Sequence, residues 1–207
     1  MLGAKDWRAL SGWIRGESAP QPWGSKPLQI WNGPLPATIR APLIGGNLAV
    51  WNSVLGTRFQ GRAKGCFLFL EDIDESLYRV DRMLQHLALS GAMEAVKGVI
   101  LGNFLNCKDG APQVLKREPR PKEVRRMLTA PRPTELQPLR RTMNEKRALR
   151  TIFTEWGRQL QIPVAFGLPV GHGPGVSPLP LGAEYSLSPS GHFHLLNWDW
   201  LKSVDTR

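Results

Sequence analysis

Apolar positions recur at steps of three and four in several stretches of the chain, and elsewhere they run together in short blocks. The two patterns predict helices and buried strands respectively. Residues 5–15 form a weak helical pattern with Trp7, Leu10 and Ile14 on one stripe, and the Pro/Gly/Ser-rich stretch Gly16–Pro27 breaks it. Leu28–Trp31 and Ala37–Arg40 have strand length, and the Asn32-Gly33-Pro34 turn between them predicts a hairpin. After Gly45-Gly46, Asn47–Leu55 begins at a good N-cap residue and places Leu48, Trp51 and Leu55 on one helical face, with Gly56-Thr57 ending it. Cys66–Leu70 is continuously apolar, as a strand covered on both faces must be.

The strongest helical pattern follows. Leu77, Val80, Met83, Leu84, Leu87 and Ala88 form its stripe, Ser76 can cap its start and Gly91 stands at its end. Val99–Leu101 predicts another buried strand. Glu145–Leu160 predicts a helix that buries Leu149, Ile152, Phe153, Trp156 and Leu160, and Ile162–Phe166 a strand after it. Ala183–Leu187 and His192–Leu196 complete the pattern as two antiparallel strands. Strands alternating with helices in this order predict an α/β fold around a small mixed sheet.

Composition changes this picture in two places. The chain has 207 residues, 42% of them hydrophobic, which suffices for a real core and one domain, two at most. No window is apolar enough to span a membrane and residues 1–8 lack the apolar core of a signal peptide, so a cytoplasmic protein with no membrane partner is expected. Cys66 and Cys107 are its two cysteines, and they fit reduced, buried thiols better than a disulfide. The net charge is +10, and Lys108–Arg150 carries 13 Lys/Arg against 5 Asp/Glu, a net of +8. Six prolines from Pro112 to Pro138 break that stretch, which reads as a basic, irregular insertion at about 107–145. Its charge would suit a polyanion, but no aromatic residue lies within it to stack on a base, so nucleic acid is disfavoured.

Few residues could carry chemistry. Glu71 follows directly on the buried strand, at the edge where open α/β sheets place their ligand crevice. His172 lies in Pro169-Val170-Gly171-His172-Gly173, a loop after a strand, where the flanking glycines permit close backbone approach. Taken alone, Glu71 reads as a solvated carboxylate capping the following helix beside Asp72 and Asp74, and His172 as a surface-turn residue bonded to backbone. Three other features are read as structural. His192 and His194 share one strand face but lack a third ligand, so no metal is expected. Ser177 is not in a Gly-x-Ser-x-Gly elbow. Arg79 and Arg82 could grip a carboxylate but are read as solvated or ion-paired.

Taken in order, Ala41-Pro42-Leu43-Ile44-Gly45-Gly46-Asn47-Leu48, Leu55-Gly56-Thr57, Phe69-Leu70-Glu71-Asp72, Tyr78-Arg79-Val80-Asp81-Arg82-Met83-Leu84, Gly98-Val99-Ile100-Leu101-Gly102 and Pro169-Val170-Gly171-His172-Gly173 resemble the landmarks of the LD-carboxypeptidase family. The resemblance spans about residues 41–182. It implies a swivelling β/β/α-type C-terminal domain over 41–207, normally packed against an N-terminal α/β domain, with residues 1–40 a remnant of that first domain and its linker. It also implies that Glu71 and His172 are two members of a Ser-Glu-His triad, that no cofactor is used, and that the substrate is a cytoplasmic murein tetrapeptide losing its terminal D-alanine in peptidoglycan recycling. Relatives that act as microcin immunity peptidases use the same triad. The family's nucleophilic serine, with its oxyanion hole, has no counterpart in residues 1–207. The expectation is therefore the C-terminal part of a serine carboxypeptidase, active with its missing half. An inactive peptide-binding or polyanion-binding derivative is the alternative, and homodimerisation is left open.

Overall fold

A computed structural model describes residues 3–17, 21–108, 145–173 and 177–198. Most of the basic segment expected at about 107–145 lies outside the described residues. Seven strands form one mixed sheet: β1 (Gln29–Ile30), β2 (Ile39–Asn47), β3 (Phe67–Ile73), β4 (Gly98–Leu105), β5 (Val164–Phe166), β6 (Glu184–Leu187) and β7 (Phe193–Asn197). Their order is β1-β5-β4-β3-β2-β6-β7. The middle four, β2 to β5, run parallel, while β1, β6 and β7 are antiparallel to their neighbours. Parallel neighbours need a crossover, and α2 (Leu48–Ser53), α3 (Leu77–Leu89) and α4 (Glu145–Gln159) stand in those connections. The α/β class and the mixed sheet agree with the expectation from the sequence.

The continuous apolar runs become strands because both faces of the parallel sheet are covered. Side chains alternate across a strand. Leu68, Leu70, Val99, Leu101 and Val164 join the core beneath α2, α3 and α4. Their alternating partners Phe67, Phe69, Ile100 and Ala165 join a second core with Leu43, Tyr185 and the first helix, α1 (Ala4–Ile14). Burying large side chains such as Phe67, Phe153, Trp156 and Tyr185 contributes about 1.5–3 kcal/mol each.

Two local expectations are corrected. The hairpin between residues 28–31 and 37–40 does not form: β1 pairs instead with β5, Gln29 opposite Phe166 and Ile30 opposite Ala165. Asn32, read as a turn residue, explains why. Its side chain accepts the Val164 N–H at 2.9 Å and donates to the Ile162 carbonyl, so it docks the chain at the start of β5 rather than folding it onto β2. On α1 the buried face carries Asp6, Ala9, Gly12 and Trp13, while Trp7 and Ile14 are 58% and 55% exposed. Trp13 packs against Trp23, and the Asp6 carboxylate receives the Ser177 hydroxyl at 2.9 Å. These contacts, distant in sequence, set which face turns inward.

Candidate active site at the carboxyl edge of the parallel strands

The alternation along β3 does not stop where its apolar run ends. Phe69 and Leu70 face opposite cores, and the next two residues, Glu71 and Asp72, continue the pattern as carboxylates on opposite faces. Both are buried, at 5% and 2% exposure. Buried carboxylates must be hydrogen-bonded, and each of these is.

Asp72 faces α2. Its Oδ1 accepts from Asn47 Nδ2 and from the Ile73 N–H, both at 2.8 Å, and its Oδ2 accepts from the Ala49 N–H at 3.0 Å. Asn47 in turn caps α2 by accepting the Val50 N–H at 3.0 Å. Gly45 permits this arrangement: it has φ +133°, and a Cβ there would lie 2.0 Å from the Phe69 carbonyl oxygen. The helix that follows Glu71, α3, is capped instead by Ser76, whose Oγ accepts the Arg79 N–H at 3.3 Å.

Glu71 faces the other way, toward the loop after β5. One oxygen, Oε2, accepts two bonds from the same residue, the His172 N–H at 3.0 Å and the ring Nδ1–H at 2.8 Å. The sequence placed Glu71 at a strand's carboxyl edge and His172 in a loop after another strand, and the structure brings them into direct contact across 101 positions. Gly171 makes room for the contact: with φ +105°, it lies where a Cβ would come within 2.6 Å of Glu71 Oε2. The loop is held at its base as well. The Ser177 N–H bonds the Pro169 carbonyl at 3.1 Å, the Asn103 N–H bonds the Val170 carbonyl at 2.8 Å, and Ser177 is anchored to α1 through Asp6.

The electrostatics follow from this contact. The His172 pKa is raised above the ordinary imidazole value, first by the hydrogen bond to Glu71 and then by its charge, with Asp72 and Asp74 adding smaller contributions. The His172 side chain is 49% exposed while that of Glu71 is only 7% exposed. With Nδ1 donating to the carboxylate, Nε2 carries the lone pair and the exposed side of the ring is free to accept a proton. A buried carboxylate that orients a half-exposed imidazole is the arrangement a general base requires.

The other singled-out residues stay apart from this pair. Ser177 is buried with its hydroxyl bonded to Asp6. Arg79 is paired with Glu75 at 2.9 Å, and the Arg82 guanidinium lies 5.5 Å from the Tyr78 ring centre. His192 and His194 stack at 6.0 Å, and among the described residues no group of three or more His, Cys, Asp or Glu could hold a metal. No helix among them is long and apolar enough to cross a membrane. The sequence marked Gly171 as a glycine flanking the candidate base, but the roles of Asp72 and of the Asp6–Ser177 tie at this edge were not singled out from it.

The LD-carboxypeptidase C-terminal domain family matches residues 40–187. A Bacillus subtilis protein named "Probable murein peptide carboxypeptidase" is 41% identical over 73 residues, which is 35% of this chain and 23% of that protein. The "Murein tetrapeptide carboxypeptidase" of Pseudomonas aeruginosa is 29% identical over 136 residues, 65% of this chain and 34% of that one. Among solved structures, the muramoyltetrapeptide carboxypeptidase from Oxalobacter formigenes superposes with TM-score 0.60 at 24% identity, covering 93% of this chain and 54% of that one. The microcin C7 self immunity protein superposes with TM-score 0.54 at 22% identity, covering 80% and 40%. At those identities the superpositions establish the fold. The chain thus spans about half of the Oxalobacter protein, and its matched stretches cover a quarter to a third of the two relatives.

Proposed function

The chain belongs to the LD-carboxypeptidase family, through that family's C-terminal domain, and we propose that its Glu71 and His172 are the carboxylate and the base of a serine carboxypeptidase acting on murein peptides. The observation that carries this reading is the 2.8 Å contact between His172 Nδ1 and Glu71 Oε2 at the carboxyl edge of the parallel strands. In open α/β sheets that edge is where ligands sit.

The reaction follows from the proton inventory. His172 Nε2 takes the proton of a serine hydroxyl as its oxygen attacks the peptide carbonyl, and Glu71 holds the tautomer and stabilises the imidazolium. The imidazolium then protonates the departing amine, the C–N bond breaks and D-alanine leaves. Water, deprotonated by the same ring, hydrolyses the acyl-enzyme. Ser177 is unsuited to the nucleophile's role, because its hydroxyl is buried on Asp6. The serine and its oxyanion hole would come from the part of the relatives that this chain does not match, and residues 1–40 are read as the end of that first domain and its linker. The substrate in this reading is a murein tetrapeptide, and the setting cytoplasmic peptidoglycan recycling.

The test is reconstitution. The chain is mixed with a separately produced N-terminal half of a murein tetrapeptide carboxypeptidase, and D-alanine release from the tetrapeptide is followed by mass spectrometry. Release is expected from the mixture, and His172→Ala or Glu71→Ala should lower it by about 10³-fold or more, with thermal melts confirming that the variants fold. Unchanged turnover in folded variants removes both residues from the mechanism. Tetrapeptide binding without any release in an assembled pair would replace catalysis with peptide binding.

A further inference from the structure

Helix α4 buries one face and presents a very different one. Ala148, Leu149, Phe153, Trp156 and Gly157 are buried, whereas Arg147, Arg150 and Arg158 are exposed. Steps of three and eight residues place those arginines along one stripe of the helix. The stripe lines a groove of ≈ 670 Å³ that also includes Gln29 and Trp31 beside the edge strand. That volume lies within the range of about 300–1,000 Å³ typical of small-ligand clefts.

The charge in the groove is unbalanced. Among the described residues that line it, Lys146 joins the three arginines and Glu155 is the one carboxylate. Among the described residues, Arg147, Arg150 and Arg158 make no ion pair, whereas Arg15 and Arg79 each pair with a glutamate at 2.7 and 2.9 Å. Concentrating like charge in a concave surface raises the local potential for an anion. Guanidinium groups, with their planar fork of donors, suit phosphate oxygens in particular.

The rest of the lining narrows the class of ligand. The Thr151 and Thr154 hydroxyls are spent on the Arg147 and Trp31 carbonyls, at 3.1 and 3.4 Å, so the arginines are the main free donors. Trp31 is 4% exposed and stacked on Phe166 at 4.4 Å, which leaves no open aromatic face for a nucleobase. Arg150 and Arg158 are separated by about 12 Å along the helix axis, farther than a single phosphate reaches. From this arrangement we infer that the groove between α4 and the β1 edge binds a small, linear oligophosphate through its phosphate oxygens. This site is separate from the Glu71–His172 pair and does not depend on the activity proposed for it.

Calorimetric titration of the full chain with sodium tripolyphosphate, at fixed ionic strength, tests this. Saturable binding at one site is expected, tighter than for orthophosphate and equal for ATP, since the base adds nothing. Arg150→Gln with Arg158→Gln should weaken it by about tenfold or more, while Arg58→Gln, on an exposed arginine outside the groove, should leave it unchanged. Absence of saturable binding, or affinity that falls equally in both variants, overturns the proposal. Tighter binding of a single-stranded oligonucleotide than of tripolyphosphate would also overturn it, in favour of a nucleic-acid surface.

Discussion

The two polar regions of this molecule are built on opposite plans. At the carboxyl edge of the parallel strands, carboxylates are buried and each is committed to an internal partner: Asp72 to Asn47 and α2, Glu71 to His172, Asp6 to Ser177. Along α4, arginines lie exposed in a groove with no carboxylate bonded to them among the described residues. The first region has already offset its desolvation cost with internal hydrogen bonds and holds a fixed geometry, as the catalytic role proposed for it requires. The second leaves its hydrogen-bonding capacity for something from outside. Substitutions in the first should therefore lower stability or alter titration, and substitutions in the second should chiefly alter binding.

The largest effect is expected at Asp72. Removing its carboxylate in Asp72→Ala strips partners from Asn47 Nδ2 and from the Ala49 and Ile73 N–H groups at once. Bonds to a charged acceptor are worth about 1.5–3 kcal/mol each and do not add fully, so a loss of about 3 kcal/mol is expected. Asp72→Asn, which keeps one acceptor oxygen, should lose about half as much. Urea titration with an unchanged m-value is the check. A loss below about 0.5 kcal/mol would mean that α2 is not fastened to β3 through this side chain.

A smaller but more specific effect is expected at Gly171. In Gly171→Ala the new methyl carbon would lie 2.6 Å from Glu71 Oε2 at φ +105°, so the loop must shift. The backbone cost is about 1–3 kcal/mol. The sharper readout is His172, whose pKa is raised above the ordinary imidazole value of 6.5 through its bond to Glu71. That coupling favours the imidazolium, so its contribution to stability is fully present below pH 6.5 and disappears as pH rises through the folded-state value. The neutral base form accumulates only above that value. Both Gly171→Ala and Glu71→Gln should bring the His172 carbon-13 titration back toward that of a free imidazole. A midpoint unmoved in both variants would show that the carboxylate does not control the ring.

How much of this was legible beforehand divides along the same lines. Residues that interact at three or four positions' distance announce themselves, so the buried stripes of α3 and α4 and the cap of α2 at Asn47 could be read from the pattern of apolar positions. The buried runs of β3 and β4 were equally plain, though both strands extend further than their apolar cores. Contacts between distant positions left no periodic trace. Asn32 at the start of β5, Asp6 on Ser177 and Glu71 on His172 span 132, 171 and 101 positions. For Glu71 and His172, ordered motifs resembling a known family stood in for the missing geometric signal. Asp6 had no such help, and the face of α1 was misread because Trp7 and Ile14 formed the more obvious apolar stripe.

The smallest expected effect lies in the groove and has the opposite sign. Arg147 and Arg150 are three positions apart on α4, where like charges oppose each other by about 0.2–0.5 kcal/mol in an exposed helix. Among the described residues neither has a carboxylate partner to lose. Arg150→Gln exchanges one good helix former for another, so propensity changes little. It should therefore leave stability unchanged or raise it by a few tenths of a kcal/mol at low salt. Screening at 1 M salt shortens the reach of charge to about 3 Å, and the difference from the parent chain should then vanish. Paired thermal melts at low and high salt read this directly. A destabilisation of about 1 kcal/mol that persisted at high salt would mean that Arg150 is bound into the fold, and the contrast between a committed edge and an uncommitted groove would fail.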